Sequence, residues 1–261
     1  MIRRRRLAVP ATVVFLVLAA AAAAAAGPVP ETPASGPRLG LRVGYSSQRV
    51  SWDAEGAPDS SLDSGLAAAE LEFPIGRGSS ISILAGYDTA DIGGLIFRSL
   101  PFSIDYQAGA GGGAALGGAF VLALTSGPAL RLRLQGEITA HLGSSRKRDL
   151  PGLAVDGSLE AKATWLRARV GPLVAFGSGS GVTPYVFPFF HYFQGGFELR
   201  ETVQSLKGEQ KIDFKGRSQF GIAGGLDLPL TPGIRLRAEA GAYPGSGGTG
   251  YSATLATLFA F

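Results

Sequence analysis

The feature that most constrains this chain is an alternation of apolar and polar residues that recurs along most of its length. From Leu130 to Leu142, one parity holds Leu130, Leu132, Leu134, Ile138, Ala140 and Leu142. The other holds Arg131, Arg133, Gln135, Glu137, Thr139 and His141. Side chains two apart on an extended chain point the same way, so this segment is a strand with one greasy and one charged face. Ile234 to Tyr243 repeats the pattern, with Ile234, Leu236, Ala238 and Ala240 against Arg235, Arg237 and Glu239. Ile212 to Leu230 sets Phe214, Phe220, Ile222, Leu226, Leu228 and Leu230 against Asp213, Lys215, Arg217, Gln219 and Asp227. Beyond Pro37 no stretch sustains a helical period.

Applied throughout, the alternation predicts ten strands, at about 38–51, 65–75, 80–90, 102–124, 129–143, 156–177, 183–201, 212–230, 234–244 and 250–261. Tight turns rich in Gly, Ser and Pro (76–79, 125–128, 178–182, 231–233) alternate with longer polar connections (52–64, 91–101, 144–155, 202–211). Only 244–249 is short where a long connection is expected. Short turns at one end and long loops at the other describe an all-β, closed, antiparallel up-and-down transmembrane barrel. Ten strands fit the length, and eight is the alternative count.

Composition narrows the chemistry. The absence of Cys removes disulfides, thiolate metal sites and a thiol nucleophile. Of the 24 Lys and Arg, four are Arg3 to Arg6, which precede an apolar, alanine-rich run from Leu7 to Ala26. A charged start, an apolar stretch and small residues at its end predict a signal peptide over 1–26, cleaved on export. A short Pro-rich segment, 27–37, then leads to the barrel at 38–261. Without those four arginines the remaining cations only balance the 20 acids, so no nucleic-acid partner is expected. Gly109-x-Gly111-x-x-Ala114 has dinucleotide-binding spacing, but its surroundings alternate like a strand and no helix opens there. No cofactor or metal is expected.

Alternation alone does not say which face points outward, since a soluble barrel with an apolar cavity has the same pattern. The charges of the polar face occur in both signs: Arg38, Arg42, Glu70, Glu72, Asp88, Asp105, Arg131, Arg133, Glu137, Glu160 and Lys162, with Arg235, Arg237 and Glu239 near the end. Inside a narrow lumen they can pair, leaving the apolar face to lipid. The last strand supports this choice: Tyr251, Ala253, Leu255, Thr257, Phe259 and Phe261 alternate to a terminal aromatic residue. Here the chain resembles bacterial outer-membrane β-barrel proteins, whose final strand ends in a phenylalanine read by the barrel assembly machinery. By specific motif the resemblance covers only these last residues. It implies an outer-membrane location, contact with outer-membrane lipid and lipopolysaccharide, and passage through periplasmic chaperones to that machinery. Tyr251, Phe259 and Phe261 are then the assembly signal.

The expected lumen network comprises Arg131, Arg133, Glu137, Lys215, Arg217, Arg235, Arg237 and Glu239. A glycine strip at 109–117 is expected to make room for Arg131, Arg133 and Gln135, with Gly111 central. Tyr45, Tyr87, Tyr106, Trp165 and Tyr251 fit an interfacial aromatic girdle. Charge changes parity between Lys162 and Arg167, which suggests a bulge near Trp165. Aromatic residues occupy both faces of 184–199, so the side on which His191 lies stays open. Arg146, Lys147 and Arg148 form a basic cluster in an outer loop, placed to meet lipopolysaccharide phosphates.

Three functions fit this reading. The first is a non-enzymatic barrel, structural or surface-interacting, with a lumen filled by side chains. The second is a narrow porin-like channel for small solutes. The third is a rim hydrolase acting on lipid A or peptide through His141 or His191, with Ser144 and Ser145 near the former. His141 and Glu137 share a face, but four residues of strand separate them by roughly 13 Å, too far for a hydrogen bond.

Overall fold

A strand in hydrocarbon has no water for its N–H and C=O groups, so each must bond to a neighbouring strand and the sheet must close. A computed structural model describes residues 36–53, 60–76, 78–97, 104–125, 127, 129–149, 157–177 and 181–261; the expected signal peptide lies outside them. The strands are β1 (Arg38–Trp52), β2 (Ser60–Gly76), β3 (Ser79–Phe97), β4 (Ile104–Ala123), β5 (Leu130–Gly143), β6 (Arg146–Asp149), β7 (Gly157–Phe176), β8 (Thr183–Val203), β9 (Leu206–Gly216), β10 (Phe220–Thr231), β11 (Ile234–Tyr243) and β12 (Gly250–Ala260). Ten of them form an antiparallel ring, β1-β2-β3-β4-β5-β7-β8-β10-β11-β12, closed by β12 on β1 from Arg38↔Ala260 to Ser47↔Tyr251. The other two are upward continuations. β6 extends the line of β5 along β7, and β9 extends that of β10 along β8.

Around the belt the outward side chains are apolar. Leu39, Leu41 and Val43 on β1, Ile81 and Ile83 on β3, Ile138 and Leu142 on β5, and Phe220 and Ile222 on β10 are all exposed, Leu41 by 67%. No water-facing surface would carry so continuous an aliphatic band, whereas a lipid-facing one requires it. Arg42, Glu70, Asp88 and His141 on the alternate positions are buried in the lumen.

Above the belt the two sides exchange roles. Val50, Trp52, Leu62, Leu159, Phe197 and Phe214 point inward and pack as an apolar core. The outer face of β6–β9 is charged, in alternating sign both along and across the strands. Lys147, Glu160, Arg200 and Glu209 form one row, and Lys162, Glu198 and Lys211 the next. Arg200 and Glu209 approach to 3.4 Å, and Lys211 and Glu198 to 3.6 Å.

This exchange corrects two expectations. β7 pairs without a register break from Gly157 to Val170, so there is no bulge at Trp165. The charge parity changes because Lys162 faces water outside while Arg167 and Arg169 face the lumen. The bulge lies instead at 216–219. Lys215 pairs with Gln194 and Phe220 with Phe190, which leaves one extra residue on the β9–β10 side. That residue turns Phe214 inward and Phe220 outward although both are even-numbered. The expected loop at 202–211 is also strand. Val203 pairs with Leu206 across a two-residue turn in which Gln204 adopts φ 53°, as a tight primed hairpin turn demands.

The glycine strip works differently from the expectation. Gly113 and Gly117 stand opposite Gly143 and Thr139, whereas Arg133 pairs with Ala123, beyond the strip. A Cβ on Gly111 would meet nothing within 4 Å, but one on Gly113 would lie 2.2 Å from the Leu142 carbonyl oxygen and 2.6 Å from the Gly143 Cα. Backbone cannot yield as a side chain can. Gly113→Ala is therefore expected to destabilise the refolded barrel by about 1–3 kcal/mol, and Gly111→Ala by no more than about 0.5 kcal/mol. Urea titration of both variants, scored by heat-shifted electrophoretic mobility, checks this order.

Candidate functional site

The lumen is where the chemistry collects. Arg42 on β1 donates from Nε to Glu70 on β2 at 2.9 Å and from Nη1 across the lumen to Glu137 on β5 at 3.1 Å. Glu137 also accepts from Arg169 on β7 at 2.9 Å, and Arg169 reaches Glu239 on β11 at 2.5 Å. The Tyr185 hydroxyl donates to the other Glu239 oxygen at 3.1 Å. β1 and β5 stand nearly opposite in a ten-strand ring, so this chain of charge spans the barrel. Below it, Arg38 and Arg237 share Glu72 at 2.5 and 3.4 Å, and Arg235 lies 3.3 Å from Asp227. Five arginines thus meet five carboxylates. Arg133 is attracted by Asp227 and repelled by Arg131, Arg235 and Arg237, which places extra positive charge at this lower end.

The remaining lumen is aromatic. Odd residues of β8 point inward, which places His191 in the lumen, while Val186, Phe190 and Tyr192 face outward. The Phe187 and Phe189 rings lie 5.0 Å apart, Phe189 meets Tyr243 at 5.5 Å, and His191 meets Tyr243 at 4.6 Å. Arg169 sits 5.4 Å from the Phe187 centroid and 5.7 Å from that of Phe189, joining the aromatic wall to the ionic one.

Of the residues expected in the network, the structure brings Glu137, Arg235, Arg237 and Glu239 together, and Arg131 and Arg133 share their inner face. Lys215 and Arg217 do not join. Lys215 is exposed on the outer face, and Arg217 lies at the bulge, within 3.5 Å of the Ser246 carbonyl. Arg42, Glu70, Glu72, Arg169 and Asp227 were missed as partners, although four of them were visible as strand charges. Arg169 was obscured by the assumed bulge. Trp165 leaves the expected girdle, being buried and stacked on His141 at 3.5 Å with an interplanar angle of 6°. Tyr87 and Tyr251 face outward and exposed, Tyr45 is half-buried, and the side chain of Tyr106 lies outside the described residues. Phe259 and Phe261 are also exposed, at the opposite end of the closing strand from Tyr251. Lys147 is exposed opposite Glu160, and the side chains of Arg146 and Arg148 lie outside the described residues.

Both histidines are buried. His141 is 2% exposed with Asp88 at 3.7 Å, an acid from β3 that spacing along one strand cannot reveal. Ser144 spends its hydroxyl on the Gly112 carbonyl at 2.7 Å. His191 donates from Nδ1 to the Ser218 carbonyl at 3.3 Å. Among the described residues no hydroxyl is hydrogen-bonded to either ring, and no cluster of three or more His, Asp or Glu could hold a metal.

The closed ring, aliphatic belt and ionic lumen are those of a transmembrane β-barrel. No family model matches the chain, and no curated protein does. Among solved structures it is similar to the translocator domain of the autotransporter NalP from Neisseria meningitidis, at 12% identity and TM-score 0.46, covering 96% of each chain. It is also similar to the outer membrane protease OmpT from Escherichia coli, at 10% identity and TM-score 0.45, covering 88% of this chain and 98% of that one. A third is Ail, the attachment invasion locus protein of Yersinia pestis, at 10% identity and TM-score 0.33, covering 87% and 99%.

Two predictions follow from the charges. Removing one partner of a buried ion pair strands the other, which costs about 3–5 kcal/mol. Arg169→Leu leaves Glu137 with Arg42 alone and Glu239 with the Tyr185 hydroxyl alone, and should lower unfolding free energy in urea by about that much. Glu201, above the belt, is 2% exposed with neither carboxylate oxygen bonded, and burial pushes its carboxyl up from the usual range. A carboxyl raised on folding releases its proton more readily when unfolded. It therefore destabilises the fold increasingly as pH rises through its unfolded and then its folded range. Glu201→Gln should raise stability at pH 8 relative to wild type and leave it nearly unchanged at pH 4; equal effects at both would refute the assignment.

Proposed function

We propose that this protein is a closed, non-enzymatic outer-membrane barrel that acts structurally, holding a stiff charged sheet above the lipid. One observation carries this reading: the chain from Glu70 through Arg42, Glu137 and Arg169 to Glu239 crosses the lumen and blocks it. The spaces around that chain are about 30 and 20 Å³, room for one or two waters each. Spaces of that size admit water and not a solute of several heavy atoms.

The upper sheet supports the same role. Its outer charges already oppose one another across and along the strands, so the face is hydrated and locally neutral. Lys147 belongs to this pattern, which offers lipopolysaccharide phosphates less free charge than an isolated basic cluster would. The apolar core beneath stiffens the sheet, and β6 and β9 extend it beyond the ring.

The test is electrical and enzymatic. Refolded wild-type protein in planar bilayers is expected to give no resolved conductance steps, and no turnover of lipid A or peptide substrates. Steady steps would replace this reading with the porin-like one. Turnover lost in His141→Ala would replace it with the hydrolase.

A further inference from the structure

The blocked lumen is not uniformly filled. A third cavity of about 10 Å³ lies near the upper end, between Gln48, His191, Tyr243 and the bulge at Gly216 to Ser218. The three cavities adjoin one another. The upper and middle ones share Tyr243 as a wall, and the middle and lower ones share Arg42, Glu137, Arg169 and Thr254.

The wall that links them is made of small polar residues. Ser46 and Ser64 meet Oγ to Oγ at 2.9 Å, and the Tyr243 hydroxyl donates to Ser252 at 3.1 Å. In the upper cavity, Gln48 is 3% exposed with both amide atoms unpartnered, and His191 is 5% exposed with Nε2 unpartnered. Because a carbonyl only accepts, His191 carries its proton on Nδ1 and leaves Nε2 as a lone pair. Buried polar atoms without protein partners are satisfied by water, and this cavity has room for one. Opposite stand Phe187, Phe189 and Phe193, packed and dry. Hydration therefore follows β1, from the bulge and His191 at the top, past β2 and β12, to a lower cavity that β3, β4 and β5 also line, and it leaves the Phe187–Phe189 wall dry.

Charge along these cavities leans positive. They are lined by Arg42, Arg49, Arg167, Arg169, Arg217 and Arg237 against Glu70, Glu137 and Glu239, with Glu72 and Asp227 behind the lining offsetting Arg237. A narrow passage with an excess of fixed positive charge concentrates anions and excludes cations.

We propose that this line of three cavities along β1 is a latent path for small inorganic anions, shut at two partitions, the Tyr243 ring and the Arg42–Glu137–Arg169 bridge. This rests on the closed-lumen reading, which the wild-type recording tests separately. Tyr243 is an apolar plate between two hydrated spaces. Glu137 holds two arginines across the passage; without it they repel each other toward the walls and leave the path more positive.

The experiment is single-channel recording in potassium chloride gradients with the variant Tyr243→Ala/Glu137→Ala beside Phe187→Ala, which removes a ring of nearly the same size from the dry wall. The double variant should show conductance steps absent from wild type, with a reversal potential displaced toward chloride, and Phe187→Ala should stay closed. Heat-shifted mobility verifies that each variant is folded. If the double variant fails to fold, Tyr243→Ala/Glu137→Gln keeps the partition's shape with its charge removed and carries the same expectation. A folded double variant that stays silent, a potassium preference, or equal conductance through Phe187→Ala would each overturn the proposal.

Discussion

Everything in this barrel follows from backbone groups that cannot be left unpaired in hydrocarbon. Pairing β12 to β1 removes the last free edge within the belt, and once ten strands close, the width of the lumen is set. Ten strands enclose more space than the small residues of β4 and β12 fill. Two kinds of filler occupy the rest: paired long charged side chains, and a column of aromatic rings on β8. Each kind demands its own company. An arginine in a dry lumen needs a carboxylate, and a carboxylate bonded twice, as Glu137 is, can hold arginines from two distant strands at once. Arg169 belongs to both fillers, since its guanidinium bonds to two glutamates while lying near two phenyl rings.

The same alternation serves opposite purposes at two heights. In the belt, lipid outside selects leucine, isoleucine and valine, and the lumen takes the polar parity. Above the belt, water outside selects charge, and the lumen takes Trp52, Leu62 and Phe214. A strand can cross this boundary in two ways. β7 keeps its register and changes residue types, so Glu160 and Lys162 lie outside while Arg167 and Arg169 lie inside. The β9–β10 line instead inserts one residue, so hydrophobic residues keep even numbers while their side of the sheet changes.

This explains what could and could not be seen in the sequence. The strands of the belt were legible because period two survives any tilt or curvature, and the short turns carry their own Gly and Pro. The inward assignment of Glu137, Arg235, Arg237 and Glu239 followed from parity within a single strand. What parity cannot supply is the partner. Asp88 reaches His141 across β4, and Arg42 reaches Glu137 across the lumen, and both pairings depend on registers that local sequence does not contain. Nor can alternation distinguish a bulge from a change of solvent, so Trp165 was sent outward and Lys215 inward. On β8, aromatic residues on both parities erase the contrast altogether, and only packing against Tyr243 and Arg169 shows which column faces the lumen.

The division of the lumen into an ionic and an aromatic half also has an energetic logic. A pair of charges in a dry interior recovers its desolvation cost only with good geometry and further hydrogen bonds. Here the carboxylates Glu137, Glu239 and Glu72 each meet more than one donor, counting the Tyr185 hydroxyl, so each costly burial is shared among several contacts. Aromatic rings need no such partners and pack tightly wherever the backbone leaves width, so they occupy the side of β8, which itself carries no carboxylate below Glu198. The small hydroxyl-bearing residues of β1, β2 and β12 lie between these two regimes. They are too short to span the lumen and too polar to be dry, so water belongs there, and the residual freedom of the closed barrel is concentrated along those strands.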